Sequence, residues 1–270
     1  MKQALALWVH SLKRVRILVL IMSLLLAGFQ VLLTLVAGSV HRSNAFGEMS
    51  KFIPDFMRQL MGPSFIALMS FSGIVCVGYF HIAVMGSLVG LTIALATEPA
   101  SEIETGFMDL LLARPLARHW LISRSVALIV VCTVFTLLMM MIGTWLGLYC
   151  LAPTEAEWPS PRLIRSLVLN LGVLMLCWGG VALAISSVSR RRSVAGSTAG
   201  LLALSLYLLD YVARVWEPAE SVRWLSPFMY YNPLETILGV ETPARNLWVL
   251  AGVAFAGFVL AYFFFSRRDL

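Results

Sequence analysis

Residues 17–38 read ILVLIMSLLLAGFQVLLTLVAG, a run of 22 residues without a charged side chain. A helix needs about 20 such residues to cross the hydrocarbon core of a bilayer. Lys13, Arg14 and Arg16 precede the run, which is too long for the core of a secretory signal peptide, and no small-residue cleavage site follows it. The stretch therefore predicts a first transmembrane helix that is retained.

The composition of the whole chain agrees with a membrane protein. Of its 270 residues 60% are hydrophobic and 13% are charged, and its mean hydropathy is +0.87. In a typical soluble domain about 45–50% of the residues are apolar and about 25% are charged. These values exclude a soluble globule, a secreted disulfide scaffold and a disordered chain. One membrane domain over residues 1–270 is predicted, with six segments that can cross a bilayer: 17–38, 64–97, 121–151, 163–188, 194–215 and 246–265.

The second of these segments is too long for a simple span. Its 34 residues would form a helix of about 51 Å, so it is either one protruding helix or two spans broken near Gly78. Six spans with a cytoplasmic N-terminus place 12 of the 20 Lys and Arg residues inside, whereas a split second segment leaves 9 inside. The positive-inside rule therefore favours six helices with both termini cytoplasmic.

Two segments outside the spans have helical patterns of their own. Residues 2–16 place apolar side chains at helical spacing beside basic ones, which predicts an interfacial amphipathic helix. Residues 217–245 are too polar to cross, and Asn232, Pro233 and Glu235 fit the first turn of a short helix that ends at Gly239. We expect a re-entrant helical hairpin outside the cytoplasm, before the last span.

The predicted cytoplasmic segment 98–120 contains a third helical pattern. Ser101 and Glu104 form a capping box, which predicts a helix that starts at Glu102. Arg114 precedes a proline, so the helix is expected to end there. One apolar stripe runs along it, formed by Ile103, Phe107, Leu110 and Leu111.

Motifs for catalysis and for cofactors are absent from the sequence. The three lysines are Lys2, Lys13 and Lys51, and none follows a glycine, so the chain has no nucleotide-binding P-loop. The four cysteines fit neither a zinc site nor a disulfide framework. We therefore expect no enzyme activity, no metal and no cofactor in this chain. Its net charge of +6 indicates contact with membrane lipids rather than with nucleic acid.

Glycine pairs one helical turn apart allow two helices to approach closely. Three such pairs lie in apolar runs, and each serves packing within one chain or contact with a second chain: Gly86 and Gly90, Gly143 and Gly147, Gly196 and Gly200.

Ionisable residues inside a membrane are candidates for function. His81 lies in the middle of the second segment, either as a group that carries a proton or binds a metal or as a histidine hydrogen-bonded across helices. Asp210 has Arg214 one turn later, which predicts an ion pair. No series of carboxylates crosses the bilayer, so an ion-coupled transporter, which needs such a relay or an ion site at a broken helix, is disfavoured.

The stretch 102–118, EIETGFMDLLLARPLAR, resembles the first cytoplasmic loop of permeases of the ATP-binding-cassette type-2 exporter family, including the copper-site maturation permeases. In that pattern an acidic pair and a glycine precede Leu-Leu, and a proline and a basic residue follow. Residues 224–228 (WLSPF) and 265–270 (FSRRDL) resemble the family more weakly. Six spans, an N-terminal interfacial helix and two cytoplasmic termini agree with it over the whole chain.

The resemblance implies the transmembrane subunit of an exporter that is driven by separate ATPase subunits, which bind ATP and magnesium, and that pairs with a second permease chain. The helix within 102–118 would be the coupling helix, with its apolar stripe in a groove of the ATPase. Charged residues would contact the rim of that groove, namely Glu102, Glu104, Arg114 and Arg118, with Arg191 as a second contact. The cargo stays open among peptide, lipid, drug and a sulfur or copper species.

There are two alternatives to an exporter subunit. The first is an ion-coupled secondary transporter, and the second is a membrane assembly or sensor subunit that is driven by an ATPase but transports nothing.

Overall fold

The computed structural model describes residues 2–43, 68–107, 118–240 and 243–267, and within these ranges the chain is helical without strands. Two 3₁₀ turns lie at Arg223–Leu225 and Pro227–Tyr230. The helices are α1 (Lys2–Arg42), α2 (Phe71–Val77), α3 (Ile82–Ala96), α4 (Glu98–Glu104), α5 (Arg118–Leu151), α6 (Pro161–Val188), α7 (Arg192–Ala213), α8 (Glu217–Glu220), α9 (Pro233–Ile237) and α10 (Ala244–Ser266).

The prediction of six membrane-spanning segments is confirmed. Six helical segments of the described chain are long and apolar enough to cross a membrane. The other predicted spans agree with the structure to within a few residues, but the first begins ten residues before the predicted residue 17, and residues 64–67 of the second lie outside the described ranges. The six segments are Leu7–Arg42, Phe71–Ala96, His119–Leu151, Pro161–Val188, Arg192–Ala213 and Ala244–Ser266.

The first helix corrects one prediction. We predicted that residues 2–16 form a helix separate from the first span, and this is wrong, because α1 runs without interruption from Lys2 to Arg42. Neither glycine nor proline occurs between residues 2 and 27, so nothing in the sequence ends the helix at Arg16. Its 41 residues extend over about 61 Å. The interfacial position of its first part stays a prediction.

The second span is broken near Gly78, but it is neither of the two arrangements predicted from its length, because the two helices form one span rather than one protruding helix or two spans. Helix α2 ends at Val77, a turn follows, and α3 begins at Ile82. The side chain of His81 caps α3, because its Nδ1 accepts a hydrogen bond from the backbone N–H of Ala83 at 3.3 Å. The two halves together have the length of one span, so the break does not add a seventh.

Glycines bring two pairs of helices into backbone contact. A Cβ atom on Gly143 of α5 would collide with the backbone of Ala27 on α1, and one on Gly147 would lie 2.7 Å from Oγ1 of Thr34. Gly180 of α6 and Gly257 of α10 approach each other in the same way. The pair Gly143 and Gly147 therefore packs within the chain, and the α6–α10 contact has a pair that sequence analysis missed, because its glycines lie on different helices.

Replacing Gly143 with alanine should destabilise the protein, because the new Cβ meets backbone that cannot rotate away. Overpacking of this kind costs about 1–3 kcal/mol. Gly86 is the matched control, since a Cβ there meets no described atom within 4 Å. Thermal unfolding in detergent should show a lower midpoint for Gly143→Ala than for Gly86→Ala, and equal midpoints would contradict the packing.

Candidate functional site

Helix α4 is a short helix at the end of the bundle where α3 ends. It spans Glu98–Glu104, with Pro99 in its first turn, and begins four residues earlier than the predicted start at Glu102. Ser101 is therefore not a cap but an interior residue, whose N–H donates to the carbonyl of Thr97 at 3.2 Å. Proline favours the first turn because it has no N–H to leave unpaired, and this preference outweighs the capping box.

The helix ends where glycine allows a left-handed backbone. Thr105 follows the last helical residue, and Gly106 has a φ of 68°. A side chain with a Cβ rarely adopts this conformation. The chain therefore leaves the α4 axis at Gly106. We predicted that Phe107 lies on the same helix as Ile103, but in the structure Phe107 lies beyond the end of α4.

Glu98 connects α4 to two membrane helices. Its carboxylate lies 3.3 Å from Nη1 of Arg14 on α1 and 3.1 Å from Nη2 of Arg192 on α7. The Glu98 side chain is 7% exposed, whereas the two arginines keep about 40% of their side chains exposed. Arg14 also donates to Oγ of Ser101 at 3.3 Å. One buried carboxylate thus fixes α1 and α7 against α4.

Glu102 connects α4 to α5 through a fully buried ion pair. Its carboxylate accepts a hydrogen bond from Nη2 of Arg124, and both side chains are less than 5% exposed. The prediction that Glu102 offers a charge on the rim of a docking surface is therefore wrong. Removing two charges from water is costly unless they pair, and this pairing turns Glu102 into a structural link.

Two further hydrogen bonds complete the attachment of α4. The exposed carboxylate of Glu104 accepts from the backbone N–H of Arg192 at 2.9 Å, and the N–H of Ala100 donates to Oγ of Ser186 on α6 at 3.3 Å. A helix of seven residues is therefore bonded to α1, α5, α6 and α7. We call the three glutamates of α4 and the three arginines bonded to them the α4 ion-pair cluster: Glu98, Glu102, Glu104, Arg14, Arg124 and Arg192.

The other residues predicted for coupling surround this cluster in part. Ile103 and Phe107 are half-buried and pack against the core, and the Phe107 ring stacks on His10 with centroids 6.2 Å apart. Arg191 is exposed immediately before α7. Leu110, Leu111 and Arg114 lie outside the described residues, and of Arg118 only the backbone is described, as the first residue of α5.

Sequence analysis missed Arg14, Arg124, Glu98 and Arg192 as members of the cluster. Each is a charged residue next to an apolar run, which the positive-inside rule already explains. The available signal was that two acids of one loop, Glu98 and Glu102, lie on the predicted side where the basic residues accumulate. Their pairing depends on which helices are neighbours, and the sequence alone does not give this.

The opposite end of the bundle has a second charged link. Asp210 on α7 is buried, and its carboxylate is bonded to Arg214 at 2.8 Å, the predicted ion pair, and also to Arg223 at 2.8 Å. Ser226 donates from Oγ to the carbonyl of Leu206 on α7 at 2.8 Å. The segment between α7 and α10 is thereby tied to the end of α7.

This segment is built from short turns. It contains α8, the two 3₁₀ turns and α9, in place of the two-helix hairpin that we predicted, because prolines recur too closely for longer helices. Helix α9 starts at Pro233 as expected, and Gly239 has a φ of 80°, although the Asn232 side chain makes no capping bond. Whether the segment re-enters the membrane stays a prediction.

The same segment reaches the break in the second span. The hydroxyl of Tyr231 donates to the carbonyl of Tyr79 at 3.0 Å. Burial raises the pKa of the Tyr231 phenol, so it stays protonated and acts as the donor. A cavity of about 370 Å³ lies beside this contact, between Phe80, Tyr207, Asp210 and Phe228.

The remaining predicted residues have separate surroundings. A Cβ on Gly86, Gly90, Gly196 or Gly200 would meet no described atom within 4 Å, so both pairs face open space. The predicted hydrogen bond of His81 across helices is not the bond observed, because its side chain bonds to the N–H of Ala83 in its own segment, while its ring lies 5.5 Å from that of Phe29. No group of three metal-ligating side chains occurs among the residues that the structure describes.

A comparison with protein-family models matches residues 12–270 to the family described as ABC-2 family transporter protein. The chain belongs to the ABC-2 transporter family. It is a multi-pass membrane protein and the transmembrane component of an ABC transporter, a class of membrane subunit that generally works with an ATP-binding-cassette ATPase. A search of curated proteins finds no match.

The buried pair should be the most sensitive part of the α4 ion-pair cluster. Removing Arg124 leaves the Glu102 carboxylate buried without its cation, which costs about 3–5 kcal/mol. In Arg14→Ala, Glu98 keeps Arg192 and the lost cation is partly exposed, so the loss should be smaller. Unfolding midpoints in detergent should fall much further for Arg124→Ala than for Arg14→Ala, and similar shifts would contradict the assignment.

Proposed function

We propose that this chain is the membrane subunit of an exporter in the bacterial plasma membrane and that its ATPase docks at the α4 end. The carrying observation is that α4, within the loop that resembles a coupling loop, is bonded to four membrane helices. ATP and magnesium belong to the ATPase subunits. Under this proposal both termini are cytoplasmic, since α1 begins and α10 ends on the side of α4.

The proposed docking surface begins where α4 ends. Phe107 and Ile103 supply half-buried apolar side chains, and the exposed Arg190 and Arg191 lie on the neighbouring turn before α7. Leu110, Leu111, Arg114 and Arg118 would extend this surface along the loop. An apolar centre with charged residues around it is the usual composition of a protein interface.

The α4 ion-pair cluster gives the docking surface a mechanical role. Because α4 is bonded to α1, α5, α6 and α7, force on the loop after Gly106 acts on these helices together. Closure of the ATPase would then rotate the membrane domain as a rigid body, one of the known forms of switching transition.

A second permease chain, identical or related, would complete the pathway. The open glycine faces of α3 and α7 allow close approach of another helix. We place the second chain there, with His81 and the cavity beside Tyr231 on the pathway between the two chains. The cargo stays open, and the copper or sulfur species suggested by the subgroup resemblance is one candidate.

One observation supports the alternative of ion-coupled transport, because broken helices build the ion sites of many secondary transporters. Here, however, the Tyr79 carbonyl is bonded to Tyr231 and the His81 side chain to the N–H of Ala83. Transport that stops on ATP depletion supports the exporter, whereas transport that stops only when the proton gradient is dissipated supports the alternative.

Charge placed on the docking surface should uncouple the ATPase. Phe107→Asp puts a carboxylate in an apolar contact, and Arg191→Glu reverses an exposed charge without touching the core. The exposed Arg245 at the other end of the bundle gives the control Arg245→Glu. We expect that both docking variants lose co-purification of the partner ATPase and at least about tenfold in ATP-driven transport, equivalent to about 1.4 kcal/mol.

Normal co-purification and transport in Arg191→Glu and Phe107→Asp would contradict the docking site. Equal losses in Arg245→Glu would show that the effect of charge reversal is not specific to this end.

Bulky residues on the open glycines should weaken association of two permease chains. Gly90→Leu and Gly200→Leu fill the faces that we assign to the second chain, and Gly28→Leu on α1 is the control, because its Cβ also meets open space. Chemical crosslinking in membranes should give less dimer for the first two variants than for the control. An unchanged amount of crosslinked dimer in both variants would show that the interface lies on another face of the chain.

A further inference from the structure

A groove lies between the first turn of α5 and the last turns of α10, at the end of the bundle that carries α4. Its volume is about 380 Å³, and its walls include Ile122, Val259, Tyr262, Phe263 and Phe265. Cavities of roughly 300–1,000 Å³ with apolar walls typically hold small ligands or parts of larger ones.

The floor of this groove is fixed by direct contacts. Ile122 and Phe265 are buried, each 1% exposed. The hydroxyls of Tyr262 on α10 and Ser123 on α5 are hydrogen-bonded at 2.7 Å. The two helix ends that border the groove are therefore bonded to each other.

Cationic and aromatic side chains surround the mouth of the groove. The guanidinium carbon of Arg267 lies 4.0 Å above the centre of the Phe263 ring, a cation–π contact that holds the charge at the rim. His119 lines the groove from α5, with its ring 5.6 Å from that of Trp120. Trp120 is exposed, and exposed tryptophans at the ends of spanning helices lie at the level of lipid headgroups.

We propose that this groove binds an anionic phospholipid, with an acyl chain along Ile122 and Val259 and the phosphate between His119 and Arg267. Leu260 and Phe264, on neighbouring turns of α10, are exposed apolar residues, and such residues on a membrane-spanning helix are accessible to lipid. Among the described residues that line the groove there is no Asp or Glu, and basic pockets between membrane helices bind anionic headgroups.

The site has a consequence for coupling. Ile122 and Ser123 directly precede Arg124, the partner of Glu102 in the α4 ion-pair cluster. A bound lipid would brace the turn of α5 that carries this arginine against α10. The lipid site itself does not depend on the proposed exporter function; only its effect on coupling does.

Native mass spectrometry of the full chain, without an ATPase, tests the site. The probes are phosphatidylglycerol and phosphatidylcholine with identical acyl chains, and the double variant is His119→Gln with Arg267→Gln, both exposed residues. We expect wild type to retain phosphatidylglycerol about fivefold more strongly than phosphatidylcholine, and the double variant to lose this preference, because the Arg267 cation near an anionic headgroup contributes about a fivefold gain in affinity and the His119 ring offers an N–H to the phosphate. Arg245→Gln, at the opposite end of α10, should keep it.

A groove-filling variant separates the acyl chain from the charge. Val259→Trp leaves His119 and Arg267 in place and should reduce the retention of both lipids. Unchanged preference for phosphatidylglycerol in the double variant, an equal loss in Arg245→Gln, or unchanged retention in Val259→Trp would overturn the proposal.

Discussion

Two carboxylates buried at the end of a membrane domain, Glu98 and Glu102, are the constraint on which the rest of the structure depends. A buried charge is tolerated only when a cation lies beside it. Arg14 of α1, Arg192 of α7 and Arg124 of α5 meet this requirement, and each comes from a different span. The need to neutralise one short helix therefore determines which membrane helices meet at this end.

The opposite end repeats the arrangement with one acid. Asp210 is bonded to Arg214 on its own helix and to Arg223 in the following segment, while Tyr231 of that segment binds the carbonyl exposed by the break in the second span. Between the two ends, glycines such as Gly143 and Gly180 bring helix backbones into contact. Polar links at both ends and close packing between them make the described chain suited to move as one body.

The sequence predicts the features that depend on local composition. Six spans follow from apolar runs, whereas the break near Gly78 lies inside a single span, an arrangement that the length of the segment did not predict. The wrong predictions concern where helices begin and end. Pro99 sets the start of α4 in place of the capping box at Ser101, and α1 continues past Arg16 because no glycine or proline ends it there. The pair of Glu102 and Arg124 joins residues 22 positions apart, and only the packing of α4 on α5 brings them together.

The central claim is that α4 moves together with the membrane helices when the ATPase closes. Spin labels at Thr105 and Ser193, both exposed, report the distance between the end of α4 and the start of α7 after the exposed Cys150 is replaced by serine. In complexes diluted with unlabelled chains, ATP with vanadate is expected to leave this distance within one chain unchanged. In undiluted complexes labelled at Thr105 alone, the distance between the labels of two chains is expected to change. A change within the chain as large as the change between chains would contradict the claim.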